Sequence, residues 1–435
     1  MPSTHFCLTP LAFGLMLLAM NVSAATLTPT ETHIVAAVKA HSDAALQLLE
    51  RSARINSGTM NHEGVKAVGA VFREELEGLG FRTRWAEMPA AMQRAGHLIA
   101  EHEGNQGKRV LLIGHLDTVF EKDSKVPLWE RHGERVHGQG VYDMKGGDVI
   151  IIEALRALKA AGALDNTRIQ VIFSGDEEKA GSPVSLSRAD MINAAKNSDV
   201  ALAFEATVRQ NGQETATVGR RASGGFLLEV QGKQGHSAGI FSQNAGYGAI
   251  YETARILNSF REELIEPDLT FNVGNILGGT DVQYSDAEAG GKASGKNNVI
   301  ARSAVAKGDL RYLSAEQRDK AYAKMRDIVA RNLPGTSARI SFTEAYPPMA
   351  PTPGNYRLLQ MYSDASADAG LGNIAAIAPG ERGAGDIQFV APYVDSLDGL
   401  GAAGKGAHSP EEELEIASLQ RSTIRTALML YRLTR

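Results

Sequence analysis

The sequence predicts an α/β fold: a mostly parallel sheet flanked by helices, with a smaller α+β unit inserted into it. Three observations carry this. Short apolar runs alternate with helical stretches over the first half of the chain. Those runs are apolar throughout, as expected of strands buried on both faces. Near residue 218 the texture changes to more alternating strands in the order β-α-β-β-α-β, the ferredoxin-like pattern.

Residues 30–55 and 60–80 have helical periodicity, through Ile34, Val38, Ala44, Leu48 and Leu49, then Val65, Val68, Val71, Phe72, Leu76 and Leu79. Residues 109–114 form a short apolar strand, and 148–160 a helix. Residues 168–174 and 199–204 are two further buried strands. In the inserted unit, strands are expected at 224–231, 269–276, 303–310 and 338–344, and helices at about 245–262 and 315–333. Pro347, Pro348, Pro351 and Pro353 mark a linker, after which helix and strand signals resume. The expected organisation is an α/β unit of residues 26–217 and 347–435, split by an α+β unit at 218–346.

The first 25 residues stand apart. Leu11 to Met20 is an apolar run too short for a membrane span, which needs ~20 residues. Small residues follow, up to Ala24 and Ala25, so residues 1–25 read as a secretory signal peptide, although Lys and Arg are missing from its start. The alternative is a buried N-terminal helix. Export places the mature chain in the periplasm or outside the cell, away from membranes once cleaved. The one cysteine, Cys7, would leave with the signal. That excludes disulfide frameworks and cysteine-based zinc fingers, so any metal must be held by His, Asp and Glu. The formal net charge of −5 gives no reason to expect a nucleic-acid partner.

Chemistry-bearing residues gather at predicted strand ends, where α/β proteins build sites. The strand at 109–114 runs into Gly114-His115-Leu116-Asp117-Thr118, and in an extended segment His115 and Asp117 point to one side. Asp143 lies in a glycine-bracketed turn (GVYDMKGG) before a helix that Asp148 is expected to cap. Glu177 and Glu178 follow the strand at 168–174 within SGDEEKAG. Glu205 ends the strand at 199–204, and His408 sits among glycines at 404–408. Singly, each fits a solvated loop. Together they form a hard-oxygen and imidazole set that suits zinc or a similar divalent ion, and their number fits two ions better than one.

GHLDTVF, GVYDMKGG and SGDEEKAG, in this order, resemble the co-catalytic dizinc aminoacyl hydrolases. That metallopeptidase family includes glutamate carboxypeptidase, aminoacylase, succinyl-diaminopimelate desuccinylase and the bacterial tripeptidases. The resemblance covers essentially the whole mature chain, and it implies that 218–346 is a lid and dimerisation domain giving a homodimer. It implies two Zn2+, with Co2+ or Mn2+ as substitutes. His115 and Glu205 would hold one ion, Glu178 and His408 the other, and Asp143 would bridge them. Glu177 would be the general base, acting on a metal-bridged hydroxide, and Asp117 would support His115. A cis peptide bond at Asp143-Met144 is implied as well. In the lid, His236 resembles the histidine that stabilises the tetrahedral intermediate. Arg311 resembles the arginine gripping a substrate carboxylate, with Asn298 assisting. Glutamate at 205 matches the carboxypeptidase and deacylase branches; the tripeptidases resemble aspartate there. The implied reaction releases a C-terminal amino acid from a small peptide, as glutamate carboxypeptidase does. The alternative is N-acyl amino acid deacylation on the same scaffold. A polar stretch at 281–297 reads as an extra lid loop.

Two rivals fit less of the chain. Gly235-His236-Ser237-Ala238-Gly239 matches G-x-S-x-G, and a serine hydrolase using Ser237 and His408 could draw its acid from Asp386, Asp395 or Asp398. That reading leaves Asp143, Glu177 and Glu178 without a role. A non-enzymatic binding protein would be expected to lack the base or a ligand, and none is missing. The G-x-G-x-x-G at 399–404 lacks its strand and helix, and the near P-loop at 290–296 is followed by Asn297 instead of Ser or Thr.

Overall fold

The computed structural model describes residues 27–435; the expected signal peptide lies outside the described residues. Six strands form the larger sheet: β1 (Arg82–Ala86), β2 (His97–His102), β3 (Gln106–His115), β4 (Thr167–Ser174), β5 (Val200–Ala203) and, much later in the chain, Ser396–Leu397. Their spatial order is β1-β2-β4-β3-β5, then Ser396–Leu397 at the far edge. Only β2 runs against the others, pairing antiparallel with both β1 and β4. Pairing is parallel from β4 onward.

Along β3, Val110 and Leu112 face one apolar cluster while Leu111 and Ile113 face another. The sheet is therefore covered on both sides, which is why its central strands are apolar without alternation. One face packs on α1 (Pro29–Ala40), α2 (Ser42–Ala53), α3 (His62–Leu79), α4 (Gly146–Ala160) and the C-terminal helix Ile416–Leu433. The helix expected over 30–55 is two helices, divided at His41. There the Ser42 hydroxyl donates back to the carbonyls of Val38 and Lys39 and competes with the helical pattern. α3 starts where the Asn61 side chain accepts from the Gly64 amide at 3.2 Å.

The second sheet holds β6 (Ser223–Gly232), β7 (Thr270–Gly279), β8 (Ser303–Arg311) and β9 (Thr336–Tyr346), in the order β7-β8-β6-β9 and antiparallel throughout. Helices Ala249–Glu263 and Ala315–Ala330 cover one face. Phe226, Leu228 and Val230 of β6 alternate inward against Ile256, Phe260 and Met325, forming a core of their own. The stretch expected as a loop at 281–297 is largely a hairpin, Asp281–Ser285 against Gly290–Ser294. The glycine run once set against a P-loop is thus edge-strand backbone.

Candidate metal centre

His115, Glu177, Glu178 and Glu205 stand where strands of the main sheet end. His115 is the last residue of β3, Glu177 and Glu178 follow β4, and Glu205 follows β5. Asp143 occupies the irregular turn just before α4, and its bond to Met144 is cis. Close backbone approach draws these segments together. A Cβ on Gly147 would lie 2.1 Å from the Phe204 carbonyl oxygen, so only glycine lets the start of α4 press against the end of β5. His408 comes from the opposite end of the chain, with φ +61° and a side chain 58% exposed.

The Asp143 carboxylate faces two histidines at once. Its Oδ1 is 3.4 Å from His115 Nε2 and its Oδ2 is 3.2 Å from His408 Nε2. His115 Nε2 also lies 3.6 Å from Glu205, and His408 Nε2 lies 2.9 Å from Glu178. His115, Glu177 and Glu205 offer one set of converging ligand atoms; His115, Asp143 and Glu178 offer another. His115 Nδ1 must donate to the Asp117 carbonyl at 3.0 Å, since a carbonyl only accepts. Nε2 is then a lone pair among carboxylates, buried and without a hydrogen-bond partner, and Glu178 Oε1 is equally unpartnered. Two ligands each ~2.1 Å from one zinc lie about 3.0–3.4 Å apart. The observed spacings and the two orphaned atoms therefore fit divalent cations bridged by Asp143.

The electrostatics agree. Burial, with Asp143 next to it, pushes the Glu205 carboxyl up to about 8. Burial and then Glu205 push Glu177 well above the usual carboxylate range. Burial would raise Asp143 too, but hydrogen bonds from both histidines outweigh it and hold that carboxyl low. The same bonds, to Asp143 and Glu178, raise His408 to about 11. A dication in their midst inverts this order, ionising the carboxylates and stripping the histidines to neutral ligands.

Asp117 does more than flank His115. Its side chain accepts from the Glu177 amide (3.0 Å), the Glu178 amide (3.1 Å) and the Thr59 hydroxyl (2.6 Å). It fixes the backbone of the glutamate pair, while its carbonyl orients the histidine. Glu412, which the sequence did not single out, accepts from the amides of Tyr142 (2.9 Å) and Asp143 (3.1 Å). Asp176, next to Glu177, is buried and tied to Arg188, which also holds Asp386. Tyr346, at the end of β9, donates to the Glu177 carbonyl at 3.2 Å.

Asp148 does not cap α4. The helix starts two residues earlier, and Asp148 is fully buried inside its first turn with neither carboxyl oxygen hydrogen-bonded. Burial pushes its pKa well above the ordinary carboxylate range, which favours the protonated form. The nearby Lys145 ammonium, also buried, is pushed down to about 8 by burial. Asp148→Asn keeps the shape and matches the protonated form, so little change in unfolding free energy is expected. A larger loss in a denaturant titration would mean that Asp148 carries charge.

The three lid candidates stand apart from this cluster. His236 is exposed, and its Nδ1 accepts from the Ala238 amide. Asn298 is exposed, and its carbonyl accepts from the Ser237 amide. Arg311 pairs with Asp309 at 3.1 Å. The serine-hydrolase alternative does not assemble. Ser237 opens a single 3-10 turn where a nucleophile elbow needs a helix. His408 faces Asp143 and Glu178, while Asp386 is held by Arg188, Asp398 by Arg220, and Asp395 by Arg357.

Known proteins show the same arrangement of chain. The model of "Peptidase family M20/M25/M40" matches residues 111–431. Carboxypeptidase G2 from Pseudomonas sp. (strain RS-16) is 27% identical over 396 residues, covering 89% of this chain and 88% of that protein. Succinyl-diaminopimelate desuccinylase from Gluconobacter oxydans is 25% identical over 358 residues, covering 80% of this chain and 87% of that protein. The crystal structure of the Bacillus subtilis YXEP protein, a dinuclear metal-binding peptidase, superposes with a TM-score of 0.62 at 16% identity, covering 91% of this chain and 99% of that one.

Proposed function

We propose that this chain, which belongs to peptidase family M20/M25/M40, is a dizinc exopeptidase that cleaves an amide bond to release a C-terminal amino acid. The observation that carries the reading is one carboxylate, Asp143, shared between His115 and His408, with Glu205 and Glu178 completing the two sides. Bound there, two divalent ions would acidify a water and polarise the scissile carbonyl.

The chain's own residues supply the rest. Glu177 has no side-chain hydrogen bond among the described residues, and its raised pKa suits a group that takes a proton and returns it. It would accept a proton from the attacking water and deliver it to the leaving amine. Asp117 holds the Glu177 backbone while this happens. His236 would stabilise the oxyanion, and Arg311, aided by Asn298, would grip the carboxylate of the departing amino acid. Those roles need the lid to approach the cluster, and the Tyr346–Glu177 bond ties the end of β9 to the base.

The carboxypeptidase among the relatives favours release of a C-terminal amino acid from a peptide. N-acyl amino acid deacylation is the second reading, favoured by the desuccinylase relative. A lid-mediated homodimer is supported by exposed Phe241, Ile250, Tyr251 and Ile276 on the lid. Phe241 packs on Tyr247 and on Tyr251, each at 5.2 Å, so the patch is an ordered aromatic surface. The apolar N-terminal run supports a periplasmic or secreted location.

The test is a panel of dipeptides and N-acyl amino acids, each with a free or amidated C-terminal carboxylate. The chain is assayed after chelation and again after zinc is restored. Zinc-dependent turnover confined to free carboxylates is expected. Turnover that survives chelation would sink the metal reading, and equal turnover of amidated substrates would sink the exopeptidase reading.

A further inference from the structure

A second histidine–carboxylate cluster lies outside the catalytic residues. Residues Glu130–His132 and Arg135–His137 form a short antiparallel hairpin in which Glu130 pairs with His137 and His132 with Arg135. Paired residues, and residues two apart, share a face of a sheet. Glu130, His132 and His137 therefore project from one side, while buried Val136 anchors the other. Glu130 Oε2 lies 3.4 Å from His132 Nε2 and 3.7 Å from His137 Nδ1, and one ligand atom from each residue lies within 4.8 Å of the others.

The tautomer of His137 is fixed from outside. Its Nε2 is 2.7 Å from the Pro410 carbonyl, so that nitrogen carries the proton and Nδ1 is the lone pair facing Glu130. A backbone carbonyl holding the far side of an imidazole is the usual support of a metal-ligating histidine. The nearest cation on this face, Arg135, is engaged by Glu413 and leaves the cluster free of a competing charge. The spacings are close to the ~3.3 Å separation of two ligands on a tetrahedral zinc.

We propose that Glu130, His132 and His137 form a third metal site, selective for zinc-like divalent ions over Mg2+ and Ca2+, with water completing the coordination. Two imidazoles exclude the all-oxygen preference of the harder ions. The site does not depend on the catalytic reading, since none of its residues belongs to that centre.

The experiment uses untagged full-length chain already loaded with two zinc ions, titrated with further Zn2+ and followed by ions bound per chain. A third ion is expected. His132→Ala and Glu130→Gln, both at exposed positions (side chains 66% and 53% exposed), are expected to stop at two with turnover unchanged. With Cu2+ as probe, electron paramagnetic resonance should show imidazole nitrogen coupling in the wild type that weakens in His132→Ala. His137→Gln should weaken the third ion by at least about tenfold. A wild type that stops at two ions, or variants that take the third as tightly as the wild type, would overturn the proposal.

Discussion

Glu177→Gln is expected to lower kcat by at least about 10²–10⁴-fold, the usual contribution of a positioned general base. Bound ions per chain should stay unchanged. The amide keeps the shape of the side chain but cannot accept and return a proton. Glu177 also lies within ligand reach of His115 and Glu205, so ion content separates two roles. A base lost from the mechanism leaves the ions in place; a ligand lost would take an ion with it. KM should change little, because the group acts on water and not on substrate. Unchanged turnover would remove Glu177 from the reaction.

Arg188→Ala is expected to cost about 3–5 kcal/mol at neutral pH, because it leaves two buried carboxylates uncompensated. Arg188 is fully buried between Asp176 and Asp386. Burial would raise Asp176, but the Arg188 charge, together with His97 and hydrogen bonds from Gly181 and Ser187, outweighs it and holds the carboxyl below its ordinary value. The sign of the pH effect follows. A folded-state pKa below the unfolded one contributes stability that is present above the unfolded pKa and lost as pH falls through the folded value. In the wild type this part of the stability fades in acid. In the variant the buried carboxylates gain by protonation, so the gap between the two proteins should narrow as pH falls. Urea titrations of both proteins at neutral and acid pH measure it; a gap that widens in acid would refute the account. Activity should fall with stability, since Asp176 is bonded directly to the general base.

The catalytic strands were legible because they are buried on both faces: apolar runs such as 109–114 admit no other short element. The β-α-β-β-α-β order was equally plain, and the observed order β7-β8-β6-β9 is the sheet which that pattern builds. β1 and β2 were not read, because Arg82–Ala86 mixes charged and apolar residues at an edge. The start of α4 was misplaced because two glycines and an irregular turn hide the first helical residues, and Asp148 imitates a cap. At the site, the glycine-flanked acids and histidines marked the cluster. Their supports went unread: Arg188 meets Asp386, and Glu412 meets the amide of Asp143, only after distant segments have folded together. Asp176 carried one available signal. It is the first acid after a strand buried on both faces, so it is the one of the three placed to meet a buried partner.

The position of His408 has a consequence for how the enzyme comes into being. His115 emerges early in synthesis and His408 close to the end, with three strands of the main sheet and all of the second sheet between them. The loop carrying His408 and Glu412 is seated by the pairing of Glu413–Glu415 with Arg135–His137, far earlier in the chain. A chain still on the ribosome would thus hold His115, Asp143, Glu178 and Glu205 of the proposed metal centre without His408. Long-range closure of this kind is slow, because loop entropy is lost before the contacts that reward it form. On the proposed ligand set, activity would wait for the C-terminal segment to dock.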